Sequence, residues 1–156
     1  MKELLAALIC ITFLGCNGNA QENKKPFPIQ KTNSEWKSEL SSTEYNILRE
    51  AGTERAFSSD LLRIKEKGTY VCAACGTPVF ESQYKFDSAT GWPSFDRAID
   101  GNVEYSTDRK LGYTRTEEHC AQCGGHLGHV VNDGPRYTTG KRHCINGAAL
   151  NFIPFK

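Results

Sequence analysis

The sequence predicts a mainly β domain with short N-terminal helices, stapled together by a cluster of cysteines. Three observations carry this. Helix-start signatures open the domain, at Thr32-x-x-Glu35 and Ser41-x-x-Glu44. From Thr69 onward, short runs rich in β-branched and aromatic residues alternate with Gly, Pro, Asn and Asp turns. Two Cys-x-x-Cys pairs, Cys72/Cys75 and Cys120/Cys123, sit where the chain reverses, each followed by glycine.

The chain opens on Lys2 and an apolar run, Leu4–Leu14, broken only by Thr12. Eleven residues are too few to span a bilayer but fit the core of an export signal. The run ends in Phe13-Leu14-Gly15-Cys16, which resembles the lipobox of bacterial lipoproteins, with phenylalanine where leucine is usual. Residues 1–15 are therefore expected to be a signal peptide, with Cys16 lipidated in the cell envelope. An ordinary export signal and a short uncleaved anchor are the alternatives. Residues 16–33 are polar, aperiodic and proline-containing, as expected of a flexible tether. The domain is expected over 34–156.

One domain of ordinary size fits 156 residues. A net charge of +1 offers no global field for nucleic acid, and no basic stripe with interleaved aromatics accompanies the cysteine pairs. The first capping box predicts a short helix carrying Trp36 and Leu40. The second predicts one carrying Tyr45 and Leu48 and ending near Gly52. Leu61, Leu62 and Ile64 suggest a further short segment. Strands are expected around Thr69–Val71, Val79-Phe80, Gly112–Thr114, His129–Val131, Lys141–Ile145 and Ala149–Phe152. Turns are expected at 76–78, 100–102 and 132–135.

Two residues between cysteines let both sulfurs converge on one ion, so two such knuckles supply four thiolates to a tetrahedral zinc. Cys72, Cys75, Cys120 and Cys123 are the expected ligands. The 44 residues between the knuckles exceed a zinc-finger loop, so the ion would join distant parts of one domain. A closed four-sulfur shell has no open position, which makes the zinc structural. Two disulfides, or a redox-active pair, are the competing readings.

Cys144 has no Cys-x-x-Cys partner. In a strand, Arg142, Cys144 and Asn146 share a face. A permanent cation beside a thiol is the setting that lowers its pKa and makes a nucleophile; a buried cysteine closing a strand is the plain alternative. Trp92, in Gly91-Trp-Pro-Ser-Phe95, could present its ring to a methyl group on a polarised sulfur, or could simply anchor a loop. His126 and His129 are candidate general acids. At i and i+3 they share a pocket only if Gly124-Gly125 or Gly128 bends the chain. Asp133 could pair with Arg142, or serve only its turn.

These motifs occur in the order and spacing of the B-type peptide-methionine sulfoxide reductases, which the chain resembles from about Ser34 to Phe152. The resemblance implies two antiparallel β-sheets with short N-terminal helices and a structural zinc. It implies reduction of the R epimer of methionine sulfoxide, free or in proteins, to methionine. It assigns Cys144 as nucleophile, Trp92 as the wall for the substrate methyl, and His126 and His129 as the groups that orient or protonate the sulfinyl oxygen. Arg142, Asp133 and Asn146 complete the substrate-binding shell. Many relatives carry a resolving cysteine just before Gly-Trp, where this chain has Thr90, and serine where it has Gly147. A one-cysteine enzyme is therefore expected, regenerated by thioredoxin or an envelope thiol relay. A zinc-stapled binding module without turnover, and a thiol-disulfide oxidoreductase, are the other functions considered.

Overall fold

A computed structural model of the chain describes residues 26–156. The expected signal segment, Cys16 and the first part of the tether lie outside these residues. No helix among them is long and apolar enough to cross a membrane.

Both capping boxes form. Helix α1, Asn33–Glu39, starts at Thr32, whose hydroxyl accepts from the Glu35 amide while the Glu35 carboxylate accepts from the Thr32 amide. Helix α2, Ser42–Glu50, repeats the arrangement with Ser41 and Glu44. Each box satisfies two amides that have no partner inside the helix. Helix α2 ends on Ala51 in the left-handed region, and the Gly52 amide closes back on the Asn46 carbonyl at 3.0 Å. The helices bury Trp36, Ile47 and Leu48 almost completely.

Nine strands follow: β1 Gly68–Cys72, β2 Pro78–Glu81, β3 Lys85–Phe86, β4 Ser94–Phe95, β5 Val103–Asp108, β6 Arg115–Cys120, β7 His126–Val131, β8 Arg142–Ile145 and β9 Leu150–Pro154. They make two antiparallel sheets, one in the order β2-β1-β9 and one in the order β3-β4-β8-β7-β6-β5. The mainly β fold with two short helices is the expected one. The core is aromatic where the sheets meet. Phe80 stacks on Phe95 with centroids 4.5 Å apart, and Tyr70 meets Phe95 edge-on at 4.9 Å.

Some boundaries differ from expectation. Gly112–Thr114 is a turn, with Gly112 at φ +80°, and β6 begins at Arg115. Gly147–Ala149 is a short 3-10 turn, so β9 starts at Leu150. The tether expected through residue 33 is docked at its end. Phe27 meets the His119 ring edge-on at 5.4 Å and lies against Gly124, where a side chain would collide with it at 2.3 Å. The Ile29 amide donates to the Gln122 carbonyl at 2.8 Å. Phe27 and Ile29 are the reason: two apolar side chains within a polar stretch find partly apolar surface beside the second knuckle.

Candidate active site

Strand β8 is read on two faces. His143 and Ile145 point into the core, while Arg142 and Cys144 lie on the other face and are half-buried. Behind the sheet, His143 Nδ1 pairs with the Glu118 carboxylate, which is wholly buried. Burial pushes the Glu118 carboxyl up, and His143 pulls against it.

The registers of four strand pairs set Ser94, Cys144, His129, Glu117 and Ser106 in one row across β4, β8, β7, β6 and β5. Directly opposed residues of antiparallel strands share a face. His129 therefore stands beside Cys144. His126 joins them because the β6–β7 register slips: Glu118 faces Gly128, and His119 faces His126. Leu127 is the extra residue of a β-bulge, buried on the core side, and the two imidazole centroids lie 5.4 Å apart. The bend occurs next to Gly128, where a side chain would meet the Cys144 carbonyl oxygen at 2.0 Å.

Each histidine is held by a carboxylate. Glu117 accepts from His126 Nδ1 at 2.7 Å and from the Ser106 hydroxyl at 2.8 Å. His126 is 5% exposed, and burial pushes its pKa down against the pull of Glu117. It is therefore neutral at pH 7, with Nε2 its free nitrogen. Asp108 accepts from His129 Nε2 at 2.7 Å. The Lys110 amide, then His129 and Arg115, hold the Asp108 carboxyl well below the usual range. Neither Glu117 nor Asp108 is apparent from a single sequence, since isolated carboxylates in polar strands carry no spacing signature.

Arg142 is clamped by Asp133 through two hydrogen bonds of 2.8 Å, from Nε and a terminal nitrogen. This bidentate pair fixes the cation beside Cys144. Arg142 pulls the thiol's pKa down, as the sequence suggested, but it is not the largest influence. Burial pushes the Cys144 thiol up, outweighing Arg142 and a hydrogen bond from Thr90. The net direction favours the thiol over the thiolate in the free protein. Arg142→Met is expected to slow alkylation of Cys144 by iodoacetamide at pH 7.5, about tenfold for each pKa unit the cation supplies. An unchanged rate would show that Arg142 does not act on the sulfur.

Thr90 is also part of a hydroxyl chain. It shares a hydrogen bond with Ser88 at 2.8 Å, and Ser88 shares one with Ser94 at 2.7 Å. Asn146, grouped with the substrate-binding residues above, is held by backbone on two sides. It is 4% exposed, its amide donates to the Leu127 carbonyl at 3.0 Å, and its oxygen accepts from the Glu54 amide at 3.0 Å. Both its amide nitrogen and its oxygen are thus hydrogen-bonded to backbone.

Glu54 carries no signal in the sequence, yet it organises this corner. Its carboxylate accepts from the Gly147 and Ala148 amides at 2.5 and 2.9 Å, and its carbonyl accepts from Trp92 Nε1 at 3.3 Å. One residue thus ties the end of β8 to Trp92. Gly147 leaves room for this: a Cβ there would meet Ser59 Oγ at 2.0 Å and Ser59 Cβ at 2.4 Å. Gly147→Ser is expected to lower unfolding free energy by about 1–3 kcal/mol, as overpacking does. A urea midpoint equal to the parent would contradict this packing. Trp92 lines a cleft of about 570 Å³ together with Phe57, Lys85, Phe86 and Pro93. The cleft reaches Ser94 but not Cys144, so its volume alone does not mark the chemistry.

The four knuckle cysteines converge. Cys72 and Cys123 sulfurs are 3.7 Å apart, Cys75 and Cys120 sulfurs 3.6 Å, and all four lie within 4.8 Å of one another. A disulfide needs about 2.05 Å, so neither pair is bridged. A tetrahedron with metal–sulfur arms of about 2.3 Å has edges of about 3.8 Å, so the cluster is of the right size to hold a metal ion. It joins the end of β1 in the small sheet to the end of β6 in the large one. Arg49 of α2 adds a hydrogen bond of 2.9 Å to the Cys123 carbonyl.

A family model described as the SelR domain matches residues 40–154. The chain belongs to this family, the B-type peptide methionine sulfoxide reductases. The peptide methionine sulfoxide reductase MsrB of Leptospira interrogans (serogroup Icterohaemorrhagiae serovar Lai) is 51% identical over 127 residues, 81% of this chain and 96% of that protein. The protein of the same name from Thiobacillus denitrificans is 52% identical over 125 residues, 80% of this chain and 94% of that protein. Methionine-R-sulfoxide reductase B3, mitochondrial, of Mus musculus is 42% identical over 141 residues, 90% of this chain and 55% of that protein. The SelR match includes all four knuckle cysteines, Trp92, both pocket histidines and Cys144.

Proposed function

We propose that the chain reduces the R epimer of methionine sulfoxide, free or in proteins, to methionine, with Cys144 as nucleophile. One observation carries the reading. A half-buried thiol lies in register with a histidine, beside a fixed guanidinium, in a chain of the SelR family. A sulfoxide sulfur is a poor electrophile until its oxygen takes a proton, so thiol and acid must act together.

In the proposed reaction the Cys144 sulfur attacks the sulfinyl sulfur while its thiol proton passes, through the free ring nitrogen of a neighbouring histidine, to the sulfinyl oxygen. The sulfur–oxygen bond of the substrate then breaks as oxygen bonds to the Cys144 sulfur. Oxygen ends on Cys144. The products are methionine, reduced by two electrons, and a Cys144 sulfenic acid, oxidised by two. Arg142 stabilises the thiolate as it forms, and Trp92 offers a face to the substrate methyl. A thiol then condenses with the sulfenic acid, releasing water and forming a mixed disulfide. A second thiol breaks that disulfide and restores Cys144. The other cysteines among the described residues all belong to the four-sulfur cluster, and Thr90 lies against Cys144. This supports a one-cysteine enzyme that depends on an external reductant, thioredoxin or an envelope thiol relay.

Cys72, Cys75, Cys120 and Cys123 would hold a structural zinc. Bound there it supplies cross-linking and no chemistry, because four sulfurs complete its shell. The apolar run Leu4–Leu14 and Cys16 support export and lipid anchoring in a bacterial envelope.

The test is turnover of separated R and S epimers of a blocked methionine sulfoxide, with dithiothreitol as reductant. Only the R epimer is expected to react. A folded, metal-loaded chain that turns over neither epimer would replace the reductase by a binding module.

A further inference from the structure

His129 stands beside Cys144, and among the described residues Asp108 is the only side chain hydrogen-bonded to its ring. Asp108 ends β5, the outermost strand of its sheet, yet is only 8% exposed. Three donors converge on it: His129 Nε2 at 2.7 Å, the Lys110 amide at 2.8 Å and the Arg115 guanidinium. The Lys110 bond alone would serve the turn after β5. Closing that turn does not require a buried Arg–carboxylate pair or a bond to a ring two strands away. The other groups facing His129 are Glu117 from β6, His126 from its own strand, and Cys144 with Arg142 from β8. Glu117 is engaged by His126 and Ser106, and Arg142 by Asp133.

Resting on the reductase reading above, we propose that Asp108 is the positioning residue of His129, holding the ring through Nε2 so that Nδ1 is the nitrogen free to meet the sulfinyl oxygen. Arg115, bound to the same carboxylate, keeps Asp108 ionised and aimed. The arrangement follows the general logic in which a buried carboxylate sets the tautomer and direction of a working imidazole. The Asp108 carboxylate is spent on His129, Lys110 and Arg115, so its effect on the reaction passes through His129.

The experiment is a cycle of variants in the full domain: Asp108→Asn, Asp108→Ala, His129→Gln and the two doubles. The readout is single-turnover release of methionine from the R epimer by stoichiometric enzyme, which keeps slow variants measurable. Steady-state KM accompanies it for the single variants. Asp108→Ala is expected to slow release about 10–100-fold with KM within about threefold, a part of what a general acid supplies. Asp108→Asn, which keeps the side chain's shape but removes the ionised acceptor that sets the ring's tautomer, is expected to slow release at least about tenfold while leaving the fold intact. In the His129→Gln background both Asp108 substitutions are expected to cost less than about twofold, because the residue they act through is gone. Equal fold losses in both backgrounds, or parental release rates in both single variants, would overturn the inference while leaving the reductase intact. If Asp108→Ala does not fold, the Asp108→Asn pair carries the same comparison. No release by the parent would overturn both readings together.

Discussion

Cys120→Ser is expected to yield a chain that holds no metal and is largely unfolded at 37 °C. The four sulfurs join β1 to β6, and those strands belong to different sheets. Structural zinc binding by such shells is worth about 10–16 kcal/mol. A domain of this size has a net stability of about 5–15 kcal/mol. On the zinc reading proposed above, losing the ion removes free energy comparable to everything that keeps the domain folded. The aromatic contacts between the sheets, Phe80 on Phe95 and Tyr70 against Phe95, remain but do not fix the knuckles. Metal content by atomic absorption and near-ultraviolet circular dichroism check this. A folded Cys120→Ser chain with the parental melting temperature would show that the cluster is not a staple.

Cys144→Ser is expected to abolish turnover while leaving the fold intact. Serine is close in size, and Cys144 is half-buried on the outer face of β8, so no cavity opens. The hydroxyl cannot take the sulfinyl oxygen as a sulfenic acid does. The loss in kcat should be at least about 10⁴-fold, equivalent to about 5.5 kcal/mol of activation free energy. Parental stability with no detectable methionine release is the expected pair of results. Residual release above about one part in a hundred would move the nucleophile elsewhere.

How much of this is legible in the sequence follows from how local each signal is. Both helices are readable because a capping box is written within four consecutive residues. The metal cluster is readable because two residues between cysteines leave few geometric choices. Strands β3 and β4, two residues each, are too short to show a period. Strand β6 is Arg-Thr-Glu-Glu-His-Cys, in which Glu118 occupies the core position. It hides from any reading based on apolar alternation, because a buried carboxylate with a histidine partner stands where an aliphatic residue is expected. Strand β5 is absent from the expected strands, although Val103, Tyr105 and Thr107 alternate along it.

In the site, simple alternation along one strand places Cys144 and Arg142. It does not unite His126 with His129: that depends on a register slip at Leu127, which only the partner strand imposes. Asp108, Glu117 and Glu54 reach the site from residues 21, 9 and 92 positions away from His129, His126 and Asn146, respectively. The rise of the Cys144 pKa is equally hidden, since burial is a property of the folded chain, whereas the neighbouring cation is visible in sequence.

The most direct test of the central claim mixes one equivalent of metal-loaded domain with excess R-sulfoxide and no reductant. Methionine release and the mass of each cysteine-containing peptide are then measured with a sulfenic-acid trap present. One methionine per chain, with the trap on Cys144 and the four knuckle cysteines unmodified, is the expected result. Methionine released with an intramolecular disulfide to Cys144, or with Cys144 unmodified, would contradict the one-cysteine mechanism.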